Sequence, residues 1–221
     1  MDYRAKVLFT EFVTHDVTRF ILEKPQGLAV VPGQGVEVTI DQEGWRDRGR
    51  PFTPTSLAED EILEFTIKHY LDRDGVTRKL TEIHPGDHLG LSDAFGTIRY
   101  QGAGVFVAGG AGITPFLAIL RQLHRDGDLA GNRLLFSNRT PADIICEKEL
   151  RHRLGGDCLL TCTRESAAGY LDRRIDRAFL EQHVTDFNQH FYICGPKVFV
   201  TEVRQALEEL GADSQQLVFE R

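Results

Sequence analysis

The stretch RPFTPTS, residues 50–56, concentrates residue types that bind charged and aromatic ligands. Arg50 carries a permanently charged, planar guanidinium, Phe52 has an aromatic face, and Thr53 has a hydroxyl group. Pro51 and Pro54 restrict the backbone, so the stretch predicts a rigid polar turn. An alternative interpretation is a proline-rich strand end with an incidental arginine.

A glycine-rich turn in the second half of the chain is suited to approach a phosphate group. In GVFVAGGAGITPFLAIL, residues 104–120, an apolar strand pattern is followed by this turn and then by a helix pattern. Gly110 and Gly112 let the backbone approach a ligand closely, and Pro115 suits the first position of a helix, whose N-terminus binds anions. Because the motif departs from G-x-G-x-x-G at its last position, a purely structural turn is an equally good interpretation.

A second strand-to-helix turn lies in YICGPKVF, residues 192–199, and contains Cys194, Gly195 and Pro196. Taken alone, it is equally well explained as a buried cysteine beside a turn. Ligands of open parallel sheets bind at the carboxyl ends of the strands, where such turns lie. The two turns are therefore expected to open on one crevice.

The remaining candidate ligands form no recognisable metal site, and we expect no metal. Cys158 and Cys162 flank LLT inside an apolar run, which predicts buried strand residues. His84 and His88 are separated by a proline and a glycine, which predicts a turn. DRDG, residues 72–75, begins like a calcium loop but lacks the glutamate that should close it, so we expect a hairpin turn.

The composition narrows the class of protein. A chain of 221 residues that is 41% hydrophobic and 27% charged can bury a full core. Its net charge of −7 argues against a nucleic-acid-binding protein, which needs a basic face. The N-terminus has no signal-peptide pattern, and no window approaches the roughly 20 apolar residues that span a bilayer. We expect a soluble cytoplasmic monomer with reduced thiols.

The pattern of apolar residues changes near residue 100. Before this point, short alternating runs such as VEVTI (36–40) are separated by turn sequences, which predicts an antiparallel β-barrel domain over residues 1–99. From residue 104 onward, apolar strands alternate with helix patterns, which predicts a Rossmann-like α/β domain with a parallel sheet over residues 104–221. RYQGAG, residues 99–104, is expected to join the two domains.

The order of RPFT, IKHY, GVTRKL, GGAGITP and CGP resembles that of the ferredoxin–NADP reductase superfamily of flavoproteins, and the resemblance covers nearly the whole chain. RPFTP and LLFSNRTPADI are most similar to the branch with NAD(P)H-dependent cytochrome reductases, flavodoxin reductases and oxygenase reductase components. The resemblance implies bound FAD and hydride transfer from NAD(P)H to flavin N5. Electrons would then pass to a separate carrier such as ferredoxin, flavodoxin or a cytochrome.

The resemblance also implies roles for residues of the barrel. Arg50 would bind the FAD pyrophosphate, Phe52 would lie against the isoalloxazine ring, and Thr53 would place its hydroxyl near N5, while Pro51 would fix the turn. The ribityl and adenosine contacts would come from Ile67, Lys68, His69 and Tyr70. A further pyrophosphate segment would comprise Gly75, Val76 and Thr77. The RKL that follows replaces a more usual aromatic and leucine, which leaves the adenine contacts open, and Lys68 is alternatively a solvated strand lysine.

On the nucleotide side, the resemblance implies two groups of contacts. The pyrophosphate and nicotinamide of NAD(P)H would be bordered by Gly110, Gly112 and Thr114. The nicotinamide pocket would be lined by Cys194, Gly195 and Pro196, with Cys194 acting by steric positioning and not as a nucleophile.

The coenzyme is predicted from charges near the expected adenosine ribose. An NADPH enzyme needs arginines and hydroxyls for the ribose phosphate, whereas an NADH enzyme often has a carboxylate there. Arg139 and Arg164 follow the second and third strands of the second domain, and Thr163 stands where some NADH-specific relatives carry an aspartate. We expect a preference for NADPH carried by the two arginines; the alternative is that they are solvated loop charges.

A second functional hypothesis is a non-catalytic flavin-binding electron-transfer or regulatory subunit of a larger complex. One such subunit with this fold carries a four-cysteine iron–sulfur segment toward its C-terminus, whereas this chain ends SQQLVFER. Some relatives end in an aromatic or acidic residue near the flavin. Phe219, Glu220 and Arg221 are the candidates here, and the sequence leaves open which of them reaches the ring.

Overall fold

The first half of the chain forms an antiparallel sheet. The computed structural model describes residues 1–96 and 98–219. Six strands pair in the order β4-β3-β6-β1-β2-β5, and every pairing is antiparallel. Their bounds are β1 (Tyr3–Thr14), β2 (Val17–Glu23), β3 (Val36–Ile40), β4 (Arg50–Phe52), β5 (Ile62–Lys68) and β6 (His88–Leu91).

The two ends of this sheet meet and nearly close a barrel. A single β-bridge joins Pro54, just after β4, to Phe65 on β5. The barrel interior is filled by alternate strand residues such as Val38, Phe65 and Leu89, as the period of two in the sequence requires.

Strand β5 departs from a simple alternation of buried and exposed residues. Leu63, Phe65 and Ile67 are in the barrel core, yet Glu64 and Thr66 on the opposite face are also buried, with exposures of 8% and 4%. The second half of the chain covers that outer face through contacts described below. Glu64 is therefore a carboxylate at the boundary between the two halves.

The segment after β5 corrects one prediction. DRDG was expected to form a hairpin turn, but Asp72–Gly75 leads from β5 into the short helix α1 (Val76–Lys79) and joins no pair of strands. The backbone N–H of Lys79 donates to the carbonyl of Gly75 at 3.0 Å, which closes a single helical turn.

The second half of the chain is a parallel sheet covered on both faces. Five strands pair in the order β11-β10-β7-β8-β9. These are β7 (Gly104–Gly109), β8 (Arg133–Asn138), β9 (Cys158–Cys162), β10 (His190–Cys194) and β11 (Leu217–Phe219). The helices are α2 (Thr114–Asp126), α3 (Glu147–Leu154), α4 (Arg177–His183) and α5 (Lys197–Glu209).

Each face of the parallel sheet has its own apolar core. Phe116 and Leu120 of α2 and Leu150 of α3 pack on one face, and residues of α4 and α5 pack on the other. Val17 of the barrel belongs to the α2 and α3 core, so the two halves share buried apolar surface. The predicted β-barrel followed by a Rossmann-like α/β sheet is confirmed. Among the described residues, no helix has the length and apolar character needed to cross a membrane.

Candidate active site

A cleft of about 860 Å³ lies between the barrel and the parallel sheet. One wall comes from the ends of β4 and β5, and the other comes from the carboxyl ends of β7, β8, β9 and β10. Strand ends of a parallel sheet are where α/β proteins bind ligands, and the volume is toward the upper end of the range of about 300–1,000 Å³ for ligand pockets. The cleft can therefore hold large ligands.

Most of the residues singled out in the sequence lie together in this cleft. Those that line it are Pro51, Phe52, Thr53, Ile67, Lys68, Tyr70, Thr77, Gly110, Gly112, Thr114, Arg139, Cys194, Gly195 and Pro196. Those outside the lining are Arg50, His69, Gly75, Val76 and Arg164.

The RPFT segment forms one edge of the cleft. Phe52 pairs with Val36 on β3 and packs partly on the barrel core, while half-buried Thr53 follows the end of the strand. Arg50 is exposed, and its Nη1 donates to the neighbouring Gly49 carbonyl at 2.8 Å. In this conformation the guanidinium donates to the backbone, and Arg50 does not line the cleft.

The end of β5 supplies a cation that is already paired. The Nζ atom of Lys68 lies 2.6 Å from Oδ2 of Asp16 in the β1–β2 turn. Burial raises the pKa of Asp16, but the hydrogen bond and charge of Lys68 outweigh it, so the pKa of this carboxyl is lowered. Lys68 is therefore not the solvated strand lysine of the alternative interpretation.

His69 has a structural position and does not face the cleft. Its ring is 4% exposed, Nδ1 lies 2.7 Å from the Thr77 carbonyl, and Nε2 lies 2.7 Å from the Thr18 hydroxyl. Because a carbonyl oxygen only accepts, Nδ1 donates to Thr77. Burial lowers the pKa of His69, which favours the neutral ring, in which Nε2 accepts from the Thr18 hydroxyl. The side chain positions the loop that carries Thr77, so the predicted contact of residue 69 with FAD would come from its backbone.

The GVT segment is split between core and cleft. Val76 is 2% exposed within the barrel core, and Gly75 lies outside the lining, whereas half-buried Thr77 faces the cleft. Of the three, Thr77 is the residue whose side chain can reach a ligand without a change in structure.

The β7–α2 turn has the form that the glycines predict. Gly110–Ile113 is a 3₁₀ turn, and Gly110 has a φ of 54°, a left-handed conformation that favours glycine. Helix α2 starts at Thr114 with Pro115 in its first turn, and the Thr114 hydroxyl donates to the Ala111 carbonyl at 3.1 Å. The positive end of a 13-residue helix thus faces the cleft.

The two predicted strand-to-helix turns are in direct contact. Strands β7 and β10 are neighbours, and Cys194 pairs with Ala108. A β-carbon built on Gly112 would overlap the backbone carbonyl of Cys194. Cys194 is 8% exposed and lines the cleft. The sequence expectation that both turns open on one crevice matches this arrangement.

The two arginines proposed for the ribose phosphate differ in position. Their backbones are adjacent, since the Arg164 N–H donates to the Arg139 carbonyl at 2.8 Å. Both side chains are exposed, but Arg139 lines the cleft together with Ser137 and Thr163, whereas Arg164 does not.

Two cationic residues of the cleft were not predicted from the sequence. Arg73 and Lys197 add two cations to Lys68 and Arg139, while Asp143 is the one carboxylate among the described lining residues. The cleft is therefore cationic in a chain whose net charge is −7. This balance favours an anionic ligand such as a pyrophosphate. Lys197 follows the CGP turn directly, which could have drawn attention to it.

A buried amide at the end of β8 was also missed. Asn138 is 5% exposed and lines the cleft, and neither its Nδ2 nor its Oδ1 atom has a hydrogen-bond partner within the described part of the protein. Buried amides are normally hydrogen-bonded, so this pair of unsatisfied atoms at the cleft fits a site that receives a polar ligand.

One group of potential metal ligands borders the cleft. Side-chain atoms of His15, Asp16 and Asp143 lie within 4.8 Å of one another. Asp16 is already paired with Lys68, and Oδ2 of Asp143 accepts from the backbone N–H and hydroxyl of Thr140 at 2.9 and 2.6 Å. Cys158 and Cys162 are buried on β9, as predicted.

Phe219 lies away from the cleft. It is in β11 beside Ile193, and the guanidinium carbon of Arg204 lies 5.2 Å from the centre of its ring. The other two candidates for a flavin cover, Glu220 and Arg221, lie outside the described residues.

A barrel followed by an α/β sheet, with a cationic cleft at the strand ends between them, defines a two-domain oxidoreductase class that binds a flavin and a nicotinamide coenzyme. The sequence agrees: the oxidoreductase FAD-binding domain matches residues 4–100, and the oxidoreductase NAD-binding domain matches residues 106–205. The chain belongs to the ferredoxin–NADP reductase superfamily, as its motifs suggested. The predicted FAD and NAD(P) cofactors are supported by the same two domains.

Named relatives and solved structures agree with this family. Methane monooxygenase component C of Methylosinus trichosporium is 32% identical over 68% of this chain and 46% of its own length. NADH–cytochrome b5 reductase 1 of Arabidopsis thaliana is 31% identical over 62% of this chain and 52% of its own. A ferredoxin NADP⁺ reductase from Neisseria gonorrhoeae with bound FAD and NADP shares the fold, with a TM-score of 0.86, 22% identity, and coverage of 99% and 97% of the two chains. The chain spans about half the length of these two sequence relatives.

Proposed function

We propose that the protein is an FAD-containing reductase that oxidises NAD(P)H and passes electrons to a separate acceptor. The observation that carries this proposal is the single cleft in which Thr53 of the barrel faces the same space as the adjoining turns at Gly112 and Cys194. Residues 1–99 would hold FAD, and residues 104–221 would hold the coenzyme.

The barrel residues would bind and orient FAD. The chemistry that FAD would supply there is acceptance of a hydride from the nicotinamide ring and release of electrons to an acceptor. Phe52 and Tyr70 offer aromatic surface at the cleft, and Thr53 offers a hydroxyl to the reacting edge of the ring. Arg50 would turn from the Gly49 carbonyl to the pyrophosphate, a change that breaks one exposed hydrogen bond.

The residues of the second half would position the nicotinamide. The 3₁₀ turn and the start of α2 offer backbone N–H groups to the coenzyme pyrophosphate. Cys194 would limit the position of the ring by its bulk, with no need for an ionised thiol. No acid–base pair is required, because a hydride carries both electrons and the proton together.

The coenzyme would be NADPH in preference to NADH. Arg139 lines the cleft, and its backbone carbonyl accepts a hydrogen bond from the backbone N–H of Arg164. The two arginines therefore follow the ends of the neighbouring strands β8 and β9. Ser137 and Thr163 add hydroxyls at the same place. These guanidinium and hydroxyl groups suit a ribose phosphate, although the negative charge of Asp143 repels a phosphate.

The acceptor would be a small electron-carrier protein, such as ferredoxin, flavodoxin or a cytochrome, and the reductase would work as a cytoplasmic monomer. A second candidate is an electron-transfer subunit or regulatory module that works inside a larger complex. Its support is that the relatives named above include a component of a monooxygenase and that the matched regions cover 46% and 52% of those relatives.

One experiment separates these two functions. The purified protein is denatured to identify the released flavin, and the native protein is assayed for reduction of an artificial dye and of each carrier class with NADPH and with NADH. FAD together with dye reduction supports the reductase. A protein that releases FAD but reduces no dye with either coenzyme supports the second candidate, a colourless protein contradicts both, and release of FMN alone contradicts the FAD assignment.

A further inference from the structure

A largely buried arginine joins the two walls of the cleft. Arg121 lies on α2, two turns after Thr114. Its Nη1 donates to the backbone carbonyl of Thr55 and to Oε1 of Glu64, each at 2.6 Å, and both partners belong to the barrel. Its Nε and Nη2 donate to the two carboxylate oxygens of Glu149 on α3, at 2.7 and 2.8 Å.

The contact continues from Arg121 to the cleft itself. The Thr55 hydroxyl lies 2.6 Å from Oε1 of Glu64 and 3.3 Å from the hydroxyl of Thr66. Thr66 lines the cleft, and Thr55 is two residues after Thr53 on the same segment. One guanidinium thus reaches both the flavin-side segment and the helix whose first residue lies in the cleft.

Burial makes this link more costly to break than a surface ion pair. The side chains of Arg121 and Glu64 are 14% and 10% exposed, and Thr55 is fully buried. Hydrogen bonds between ionised groups in such surroundings are short, directional and costly to break. The guanidinium also fixes the directions of its hydrogen bonds, because its donors lie in one plane.

We propose that Arg121 is a positioning residue that sets the separation between the flavin-side wall at Thr53 and the nicotinamide-side wall at Thr114 and Cys194. This inference rests on the proposed function. Transfer of a hydride requires the two reacting atoms to approach within about 3–3.5 Å, and a misplacement of about 1 Å can slow a reaction about 100-fold. A rigid bond network between the walls would keep the two rings at that distance.

The chain provides a matched control on the same helix. Arg125, one turn after Arg121, also bonds to the barrel, with Nη2 at 2.6 Å from Oε2 of Glu59. These two side chains are 40% and 64% exposed, so water can replace the contact. Arg121→Lys keeps the positive charge but loses the planar, forked set of donors. Arg125→Lys makes the same change at a position where no positioning role is expected.

The experiment uses full-length FAD-loaded protein and four measurements. These are flavin content, the dissociation constant of the coenzyme, the rate of flavin reduction at saturating coenzyme, and the long-wavelength charge-transfer absorbance that reports stacking of the two rings. For Arg121→Lys we expect unchanged flavin content, reduction slower by about 10- to 100-fold, and a diminished charge-transfer band, with less than about a threefold change in the dissociation constant. Arg125→Lys should match the wild type in all four.

The outcomes are distinguishable. A folded, FAD-loaded Arg121→Lys protein with the wild-type reduction rate and charge-transfer band would overturn the positioning role while leaving the proposed function intact. If the wild type itself is not reduced by either coenzyme, the proposed function and this inference both fail. If Arg121→Lys does not fold, Glu64→Gln replaces it, because glutamine keeps the shape of the barrel partner but loses the charge that faces Arg121; slower reduction with a weaker band supports the role, and wild-type behaviour overturns it.

Discussion

Gly112 and Cys194 are in backbone contact at the point where the β7 and β10 turns meet, and a β-carbon on Gly112 would overlap the carbonyl of Cys194. This contact unites two turns that are more than 80 residues apart in the sequence. It makes the parallel-sheet side of the cleft a single surface built from neighbouring strands.

Replacement of Gly112 tests how much this contact matters. Gly112→Ala should lower the free energy of unfolding by about 1–3 kcal/mol, because the overlap is with backbone that cannot rotate away, and it should weaken coenzyme binding. Gly156→Ala is the control, since a β-carbon there meets nothing within 4 Å and its φ is not in the left-handed region. Urea unfolding and coenzyme titration measure both effects. Equal behaviour of the two variants would show that the turns can separate without cost.

The role of Thr53 is tested by removing its hydroxyl. Thr53→Ala should slow flavin reduction by roughly one to three orders of magnitude, in the range of losing one well-placed donor, while FAD stays bound. Thr53→Ser keeps the hydroxyl and should retain most of the rate. Anaerobic stopped-flow measurements on both variants decide the matter, and reduction of Thr53→Ala at the wild-type rate would refute the assignment.

Coenzyme preference should depend on Arg139 more than on Arg164, because only Arg139 of these two lines the cleft. Arg139→Ala should lower kcat/KM for NADPH by about 10-fold or more and leave that for NADH nearly unchanged, as expected for loss of a charge-assisted hydrogen bond to phosphate. Arg164→Ala should have a smaller effect in the same direction. A preference for NADH in the wild type that neither substitution alters would show that the NADPH assignment is wrong.

Stability should decrease at mildly acidic pH because of His69. Burial lowers the pKa of this ring below its usual 6.5, so the unfolded chain takes up a proton before the folded one does. The contribution of His69 to stability is therefore complete above pH 6.5 and is lost as the pH falls below that value. The difference between the free energies of unfolding at about pH 7.5 and about pH 5.5 should be smaller in His69→Gln than in the wild type.

His183 provides the comparison for this pH effect, because burial and two nearby arginines also lower its pKa. His183→Gln should remove its own part of the acid sensitivity and leave that of His69. If His69→Gln loses stability with falling pH as steeply as the wild type does, the neutral buried ring is not the cause.

Local sequence patterns predicted most of the architecture and many of the residues that line the cleft. A barrel strand buries one face, so apolar residues alternate along the first half of the chain. A parallel sheet is covered by helices on both faces, so strands alternate with helices in the second half. Gly110 and Pro115 suit the local backbone of this turn, so its form follows from their residue types. Gly112 is required instead by its contact with the Cys194 carbonyl.

Other features depend on contacts that no local pattern reveals. His69 lies next to cleft residues in the sequence, but the strand end directs its ring to Thr18, which is 51 residues away. DRDG consists of residues that are common both in hairpin turns and in connections between a strand and a helix, so the sequence did not distinguish the two. Arg121 occupies an ordinary helix position, and its role depends on the packing of α2 against Glu64 of the barrel.

Anaerobic mixing of the FAD-loaded protein with NADPH, carrying either hydrogen or deuterium at the transferred position, tests hydride transfer in the cleft most directly. The flavin absorbance should bleach, and it should bleach severalfold more slowly with the deuterated coenzyme, because the transferred atom moves in the step that is observed. A flavin that stays oxidised with both NADPH and NADH would contradict the central claim.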